Sequence, residues 1–292
     1  MKKILPAFIL FLASLVLIPR APAEIPAAWT TPEPPFRIAG DAAHGLYYVG
    51  SQDLASYLIV TPGGDILINS NLESSPPQIK KSIASLGFHM SDIKILLVSH
   101  GHYDHCAGSA EILRETHAKF EVMAQDVPVI ESGGHNDFNY ANNKSMWFPP
   151  AHVDRALHDG STVSLGGVTL TAHLTAGHTK GTTTWTFDLR DGGRVLHAVI
   201  VGSPNVNPGY KLVHNAHYPQ IASDYRHEFE VLQMLPCDLF LGAHGGYFGL
   251  DGKYPRFKAG DRGAFIDPAG YQAYIADRKR AFEDELKKQS GK

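Results

Sequence analysis

The sequence of 292 residues is poor in cysteine, with only Cys106 and Cys237. Two cysteines cannot build the disulfide framework of a small secreted protein, so the fold must rest on a hydrophobic core. A disulfide between the two remains an alternative, because an oxidising compartment would permit it. We expect a buried, unpaired thiol at Cys106 instead, since this residue directly follows a candidate metal ligand.

Excess charge of one sign is also lacking. Lys and Arg together number 26 and Asp and Glu 29, which gives a formal net charge of −3 and a pI near 6.6. A chain without a basic face offers little to a phosphate backbone, so we expect no nucleic-acid partner. Apolar residues make up 43% of the chain, which is sufficient for the core of one large globular domain.

Long apolar runs are confined to the N-terminus. Two lysines precede the apolar stretch 4–18, and Ala-Pro-Ala at 21–23 matches the small-x-small pattern that signal peptidases cleave. We predict a signal peptide over residues 1–23, export to the periplasm, and one domain over residues 24–292. A retained membrane anchor is the alternative, although the stretch is short for a bilayer. We expect the exported domain to be a monomer without contact to a membrane.

Strand and helix patterns alternate in two halves of the exported domain. Strands are predicted at 45–49, 56–60, 65–69, 93–99, 120–124, 162–165, 168–174, 183–187, 195–201 and 238–242. Helices are predicted at 77–86, 105–116, 221–235 and 268–288. Each half is β-rich at its start and is closed by a helix. This order predicts an α/β fold, which can also be classed as α+β, with four layers. Two mixed β-sheets pack face to face and the helices lie outside them.

Four candidate metal ligands lie within six residues. His100, His102, Asp104 and His105 follow a predicted buried strand and precede a predicted helix. Zinc binds imidazole nitrogen and carboxylate oxygen in a roughly tetrahedral shell, and residues two apart on a loop can converge on one ion while the next two reach a second. A solvated, His-rich loop is the alternative, but burial of so many polar rings without partners would be costly.

Two further histidines lie at the ends of predicted strands. His178 lies in a glycine-flanked turn between two strands, and His244 follows the strand at 238–242. Taken alone, each would be an ordinary polar loop residue. Layered α/β folds assemble their active sites at strand ends, however, so the shared position of these histidines and the His100–His105 cluster predicts one site. Asp41, Asp53 and Asp65 are interpreted as turn residues.

The motif His-x-His-x-Asp-His at 100–105, followed by Gly-His-Thr at 177–179 and Ala-His-Gly at 243–245, resembles the metallo-β-lactamase superfamily. The resemblance covers nearly the whole exported domain and implies an αββα sandwich. It also implies two zinc ions per chain and a metal-bridging hydroxide as the nucleophile, with Asp104 as the catalytic residue that orients it. The ligands implied are His100, His102 and His178 for one ion and Asp104, His105 and His244 for the other.

Ser203 points to one subclass within this superfamily. Lactonases and thiolester hydrolases of the superfamily place a bridging Asp at this position, and B1 and B2 β-lactamases place a Cys there. Ser203 together with His105 and the run 202–210 resembles the B3 metallo-β-lactamases. The resemblance implies hydrolysis of penicillins, cephalosporins and carbapenems, and hence antibiotic resistance. It further implies that Ser203 and Asn205 contact the substrate carboxylate; a role as ordinary turn residues is the alternative.

Two other functions stay open. A di-zinc lactonase or ester hydrolase of the same superfamily is the first, and the lack of a bridging Asp at Ser203 weighs against it. A periplasmic zinc-binding protein without turnover is the second, but two adjacent ions with an Asp ligand leave open positions that a structural site would close. Iron or manganese is an alternative metal, although His-rich ligation favours zinc. The segment 127–150 is a candidate loop over the cleft.

Overall fold

The computed structural model describes residues 24–291, so the predicted signal peptide at 1–23 lies outside the described residues. The first half of the described chain forms a seven-stranded mixed sheet in the order β1 to β7. Its strands are β1 (Phe36–Gly40), β2 (Gly45–Tyr48), β3 (Tyr57–Thr61), β4 (Gly64–Ile68), β5 (Ile93–Leu97), β6 (Lys119–Met123) and β7 (Arg155–Leu157). β1 to β4 pair antiparallel, and β4 to β7 pair parallel.

The second half forms a five-stranded sheet in the order β12-β11-β10-β9-β8. Its strands are β8 (Thr162–Leu165), β9 (Val168–Leu174), β10 (Thr183–Asp191), β11 (Arg194–Val201) and β12 (Leu239–Gly242). Strands β8 to β11 pair in antiparallel fashion, whereas β12 pairs with β11 in parallel. Two mixed sheets are therefore present, as the alternation of strand and helix patterns predicted.

Nine helices connect and cover these sheets in the described chain. They are α1 (Ala27–Thr30), α2 (Pro76–Ser85), α3 (Tyr103–Cys106), α4 (Ser109–Thr116), α5 (Val127–Glu131), α6 (Ile221–Met234), α7 (Gly245–Phe248), α8 (Leu250–Lys258) and α9 (Pro268–Gln289). Between residues 24 and 291, none of them is long and apolar enough to cross a membrane.

Successive residues of a strand point to opposite faces of its sheet, and β5 illustrates how this builds two cores. Leu97 belongs to the core between the two sheets, together with Trp185 of β10. Leu96 points the other way, into the core shared with Ile79 of α2 and Ile112 of α4. Because both faces of β5 are covered toward its C-terminal end, its last three residues are all apolar, whereas Lys94 near its start is exposed. The Trp185 indole N–H donates to the carbonyl of Val98 at 3.2 Å and links the two sheets.

The prediction of one helix over 105–116 is wrong. The chain forms α3 and α4 with a break at Ala107 and Gly108. The His105 carbonyl accepts hydrogen bonds from the backbone N–H groups of Ser70 and Asn71 at 3.1 and 3.2 Å, and Gly108 donates to the Asn71 carbonyl. These bonds to the loop after β4 replace those that a continuous helix would make. They also anchor the segment that carries the candidate ligands.

Candidate metal centre

The loop that follows β5 carries the first candidate ligands. Asn69, at the end of β4, accepts a hydrogen bond from the Ser99 backbone N–H at 2.7 Å and donates its side-chain amide to the Ser99 hydroxyl at 3.0 Å. Asn69 has a φ of 66°, a left-handed conformation that Asn tolerates better than most residues. The side chain of a neighbouring strand end therefore holds the loop at the position where His100 begins the ligand series.

Three buried histidines form one group. His100, His102 and His178 each offer a ring nitrogen, and these nitrogens lie within 4.8 Å of one another. The Nδ1 atom of His102 is 3.1 Å from the Nε2 atom of His178. The structure thus brings together the ligands that the resemblance implied for one ion, from loops 76 residues apart in sequence.

A second group adjoins the first. His100, Asp104 and His105 also offer ligand atoms within 4.8 Å of one another. His244 extends this group, since its Nε2 atom lies 3.1 Å from His105 Nε2 and 3.6 Å from Asp104 Oδ2. The Asp104 Oδ2 atom is in turn 3.4 Å from His105 Nε2. His100 belongs to both groups, so the six candidate ligands form one continuous site.

The outer ring nitrogens indicate which nitrogen of each histidine faces the centre. His178 Nδ1 lies 2.8 Å from the Asn205 carbonyl, which can only accept, so Nδ1 carries the proton and Nε2 keeps its lone pair. His102 Nε2 lies 3.3 Å from the Asp137 carboxylate, an ion-pair contact that favours a proton on Nε2 and a lone pair on Nδ1. Burial acts to lower the pKa of His102, but Asp137 and Asp104 outweigh it and raise that pKa. The Nδ1 atom of His102 therefore donates a proton to His178 Nε2 when the His102 ring is charged, and opposes it with a lone pair when the ring is neutral.

Burial sets the charge state of these groups. It holds the pKa of His100 well below the usual range and, with the nearby His244 and His102 opposed by Asp104, lowers the pKa of His105 to about 3. Burial and the His102 ring lower the pKa of His178 to about 3 as well. Burial acts to raise the pKa of Asp104, but His105 and His244 outweigh it and keep that pKa below the usual range. At neutral pH these rings are neutral and Asp104 is ionised, which is the form that binds metal ions.

The residues fit a divalent cation. Nitrogen lone pairs at hydrogen-bond distance repel each other unless a proton or a cation lies between them, so each of the two pairs at 3.1 Å requires one or the other. Both ring nitrogens of His100 and the Nδ1 atom of His105 are buried without a hydrogen-bond partner, and such orphaned atoms are costly. A nitrogen-rich set of neutral imidazoles with one carboxylate is a donor set suited to transition metals and zinc.

Three carboxylates around the ligands were not identified from the sequence. Asp126 accepts hydrogen bonds from the backbone of Gly101 and Gly181 at 2.7 and 2.8 Å, so it ties the two ligand loops together. Asp137 faces His102, as described above. Asp53, interpreted from the sequence as a turn residue, lies 2.9 Å from the Nδ1 atom of His244. That interpretation was incomplete, because the partner of Asp53 is distant in sequence.

The predicted substrate contacts already have partners in the protein. Ser203 is fully buried, and its hydroxyl lies 2.9 Å from the hydroxyl of Tyr247. The Asn205 side-chain oxygen accepts a hydrogen bond from Arg278 Nη1 at 3.1 Å. The Asn205 carbonyl accepts from Tyr225 as well as from His178. Asn205 thus has a backbone role in orienting a ligand, which sequence inspection did not reveal.

The segment 127–150 borders the centre. It contains α5 and then Asp137 and Tyr140, and the Tyr140 ring centroid lies 5.4 Å from that of His102. Both cysteines fall in the described chain and are free there, and the buried Cys106 Sγ donates to the His102 carbonyl at 3.1 Å. This agrees with the expectation of an unpaired thiol beside the ligands.

Comparison with known proteins assigns the chain to a family. The family model of the metallo-beta-lactamase superfamily matches residues 54–244. Two curated relatives are described as UPF0173 metal-dependent hydrolases and are each 26% identical. The match to the protein from Rubrobacter xylanophilus covers 40% of this chain and 40% of the relative. The match to the protein from Anaeromyxobacter dehalogenans covers 73% of this chain and 69% of the relative.

Solved structures resemble the chain over most of its length. The native FEZ-1 metallo-beta-lactamase from Legionella gormanii is 56% identical, with a TM-score of 0.87 over 89% of this chain and 98% of that one. BJP-1, a subclass B3 metallo-beta-lactamase of Bradyrhizobium japonicum, is 35% identical, with a TM-score of 0.84 over 91% and 98%. The metallo-beta-lactamase GOB-18 from Elizabethkingia meningoseptica is 38% identical, with a TM-score of 0.85 over 92% and 98%. The family model, the two packed sheets and the clustered ligands together establish that this chain is a hydrolase of the metallo-beta-lactamase superfamily.

Proposed function

We propose that this protein hydrolyses the β-lactam ring of penicillins, cephalosporins and carbapenems with two zinc ions per chain, and so confers antibiotic resistance. The observation that carries the proposal is the pair of adjoining ligand groups. In each group two imidazole nitrogens lie 3.1 Å apart. The second support is the buried Ser203, which replaces the bridging Asp of lactonases. Three metallo-beta-lactamases, of which BJP-1 is described as subclass B3, share the fold at TM-scores of 0.84 and above.

His100, His102 and His178 would hold one zinc ion, and Asp104, His105 and His244 the other. Bound zinc would lower the pKa of a coordinated water and polarise the lactam carbonyl, so that nucleophile and electrophile are available at neutral pH. Hydrolysis joins the water oxygen to the carbonyl carbon and breaks the C–N bond, and the ring nitrogen takes a proton. No acyl-enzyme is required, and the chain lacks the Ser-Asp-Asn motif that follows Ser-x-x-Lys in serine β-lactamases.

Asp104 is the proposed catalytic residue. Its carboxylate is ionised and buried, and its Oδ2 atom lies 3.4 and 3.6 Å from the Nε2 atoms of His105 and His244. An ionised carboxylate only accepts hydrogen bonds. In this position it would accept one from the attacking water and so fix the direction of the oxygen lone pair toward the substrate carbonyl.

The substrate carboxylate is assigned to the loop after β11. We propose that Ser203 and Asn205 contact it, directly or through water. The guanidinium of Arg278 donates to the Asn205 side chain at 3.1 Å and brings a positive charge to this loop. Each of these side chains has a partner in the free protein. Binding of the substrate carboxylate would therefore replace the contact of Ser203 with Tyr247 or that of Asn205 with Arg278.

Hydrolysis of a chromogenic cephalosporin and of a carbapenem by the purified protein, with and without a zinc chelator, tests the proposal. We expect fast turnover of both that the chelator abolishes and added zinc restores. Turnover of the carbapenem decides whether the enzyme is a carbapenemase. No turnover of either compound with two zinc ions bound would reject the proposal in favour of a lactonase or ester hydrolase, which assays on acyl lactones and simple esters would then identify.

We propose that the protein acts in the periplasm as a monomer after removal of residues 1–23. The lysines and the Ala-Pro-Ala pattern of that segment support this. Expression of the full chain in a bacterium, followed by osmotic release of periplasmic contents and N-terminal sequencing, is the test. We expect the released protein to begin at Glu24, and recovery of a membrane-bound, uncleaved chain would reject the proposal.

A further inference from the structure

The N-terminal arm, residues 26–32, packs against one side of the metal centre. It contains α1, and its backbone accepts hydrogen bonds from the turn after β2. The Asp53 backbone N–H donates to the Ala28 carbonyl at 3.0 Å, and that of Gln52 donates to the Thr31 carbonyl at 2.9 Å. These bonds fix the arm to the turn that carries Asp53.

Three N–H donors converge on the Asp53 carboxylate. The Trp29 indole donates to Oδ2 at 3.0 Å, and the Nδ1 atom of His244 lies 2.9 Å from the same oxygen. The backbone N–H of Gly246 donates to Oδ1 at 2.9 Å. The Asp53 carbonyl also accepts from the Gly245 N–H. The turn, the end of β12 and the arm therefore meet at a single side chain.

This convergence determines which nitrogen of His244 is free. An ionised carboxylate has no proton to donate, so the neutral His244 ring that binds a metal carries its proton on Nδ1 and its lone pair on Nε2. Nε2 is the atom that lies 3.1 Å from His105 Nε2 and 3.6 Å from Asp104 Oδ2. Asp53 thereby turns the metal-binding nitrogen of His244 toward the other two ligands of its group.

Trp29 covers the Asp53–His244 hydrogen bond. Its ring centroid lies 5.7 Å from that of His244 and 6.1 Å from that of Tyr103, while its N–H occupies the same carboxylate oxygen as His244. His244 and Asp53 are only partly buried, with side-chain exposures of 14% and 26%. Without the indole, water would reach this hydrogen bond and compete with it.

We propose that Asp53 is the positioning residue for His244 and that Trp29 of the N-terminal arm holds Asp53 in place, so that the arm determines how tightly Asp104, His105 and His244 bind their metal ion. The inference rests on the proposed two-ion site, but it does not depend on the proposed substrate. It assigns a function to the N-terminal arm, which otherwise lies outside both sheets.

Asp53→Asn tests the carboxylate. An amide cannot accept from all three donors, because one side of it is an NH2 group. With this group toward His244 the opposite tautomer is favoured, with a proton on Nε2 and no lone pair for the metal; with it toward Gly246 two N–H groups oppose each other and displace the side chain from His244. Loss of a partner that orients a ligand typically weakens metal binding by about 10- to 100-fold. We expect this loss for one of the two ions, and unchanged affinity for the ion at His100, His102 and His178.

Trp29→Phe tests the arm without altering the carboxylate. The ring stays but the indole N–H is removed, so we expect weakening of the same ion by less than Asp53→Asn causes. Asp41→Asn and Trp147→Phe are matched controls. Asp41 accepts two backbone N–H groups in an exposed turn, and the Trp147 indole donates to the Ala141 carbonyl; neither contacts the ligands.

Metal binding is the readout. Each purified protein is depleted of metal and titrated with Co²⁺ in competition with a chromophoric chelator, and the visible spectrum of the bound Co²⁺ is recorded. Unfolding of the metal-free proteins by urea is measured in parallel. We expect wild type and controls to bind two ions tightly. Asp53→Asn should bind one tightly and one weakly, with an altered spectrum for the weak ion and little change in metal-free stability.

Two results would overturn the inference. The first is wild-type affinity for both ions in Asp53→Asn and Trp29→Phe. The second is an equal loss for both ions accompanied by a large loss of metal-free stability, which would make Asp53 a purely structural residue. Failure of β-lactam hydrolysis in a wild type that binds two ions would reject the proposed substrate and leave the inference intact, because the titration involves no substrate.

Discussion

The carboxylate of Asp126 accepts a hydrogen bond from the backbone N–H of Gly101 at 2.7 Å. The same side chain accepts from the Gly181 N–H at 2.8 Å and the Thr179 hydroxyl at 2.7 Å. One buried carboxylate therefore joins the loop that carries His100 and His102 to the loop that carries His178. These loops belong to different sheets, so Asp126 keeps ligands from both halves of the fold in register.

Asp126→Asn is expected to loosen both loops. The amide nitrogen would face N–H or O–H donors, and an unsatisfied buried polar group costs about 1–3 kcal/mol. We expect a loss of that size in the free energy of unfolding by urea and a weaker metal affinity, by about 10-fold or more. Asp154→Asn is the control, because Asp154 also accepts a backbone N–H, from Phe120, but is exposed. Equal effects in both variants would contradict the assignment.

Removal of metal is expected to destabilise the protein. Ions that bind only the folded state at 1,000 times their dissociation constant each contribute about 4 kcal/mol. For a domain of this size, 1 kcal/mol corresponds to roughly 2–4 °C in melting temperature, so a chelator should lower the melting temperature by about 10 °C or more.

His178→Ala should reduce that shift, since it removes one of the two facing nitrogens. His152→Ala serves as the control, because the His152 side chain is 83% exposed. The chelator should lower the melting temperature of this variant as much as that of the wild type. A melting temperature that does not respond to the chelator would contradict a site that binds metal in the folded state.

Asp104→Asn is expected to impair catalysis more than metal binding of the histidine group. Loss of a positioned acid–base group typically costs about 10²–10⁴-fold, and we expect kcat to fall in that range. The zinc content is measured with the rate, by elemental analysis after dialysis. Asp251→Asn, at an exposed position in α8, is the control. Unchanged hydrolysis with full zinc content would rule out the proposed role of Asp104.

Asp65 lies away from the metal centre and is expected to make the free energy of unfolding depend on pH. Burial, together with the nearby Asp92, raises the pKa of Asp65 to about 6, and the Oδ2 atom has no hydrogen-bond partner. The folded protein therefore binds this proton more tightly than the unfolded chain, whose pKa is about 3.9. The stabilisation of the folded protein by this proton is complete below about pH 4 and is lost as the pH rises to about 6.

Asp65→Asn should remove this contribution. The difference in the free energy of unfolding between variant and wild type, measured with urea on metal-free protein from pH 4 to 7, should shift in favour of the variant as the pH rises through this window. The use of metal-free protein for both keeps proton competition at the histidines from contributing. A difference that is constant with pH would show that Asp65 titrates normally in the folded state.

Local sequence patterns were sufficient for most of the two sheets and for naming the candidate ligands that the structure brings together. The predicted strands at 168–174 and 195–201 correspond to β9 and β11, because the alternation of apolar and polar residues in β9 and the apolar run that ends β11 are visible without knowledge of their neighbours. β1 and β7 escaped detection. Their sequences, Phe-Arg-Ile-Ala-Gly and Arg-Ala-Leu, carry little apolar pattern of their own, and they become strands through pairing with β2 and β6.

The sequence by itself determined the family, the order of the layers and six candidate ligands, since residue type and spacing carry that information. Only the tertiary structure decided how those ligands are oriented. Asp53 and His244 are 191 residues apart, and Asp126 and Gly181 are 55 apart, so no local pattern links either pair. A carboxylate in a turn looks the same in sequence whether its partner is water or an imidazole. The packing of the two sheets brings Asp53 within hydrogen-bond distance of His244 and thereby determines which nitrogen of that imidazole is free to bind a metal.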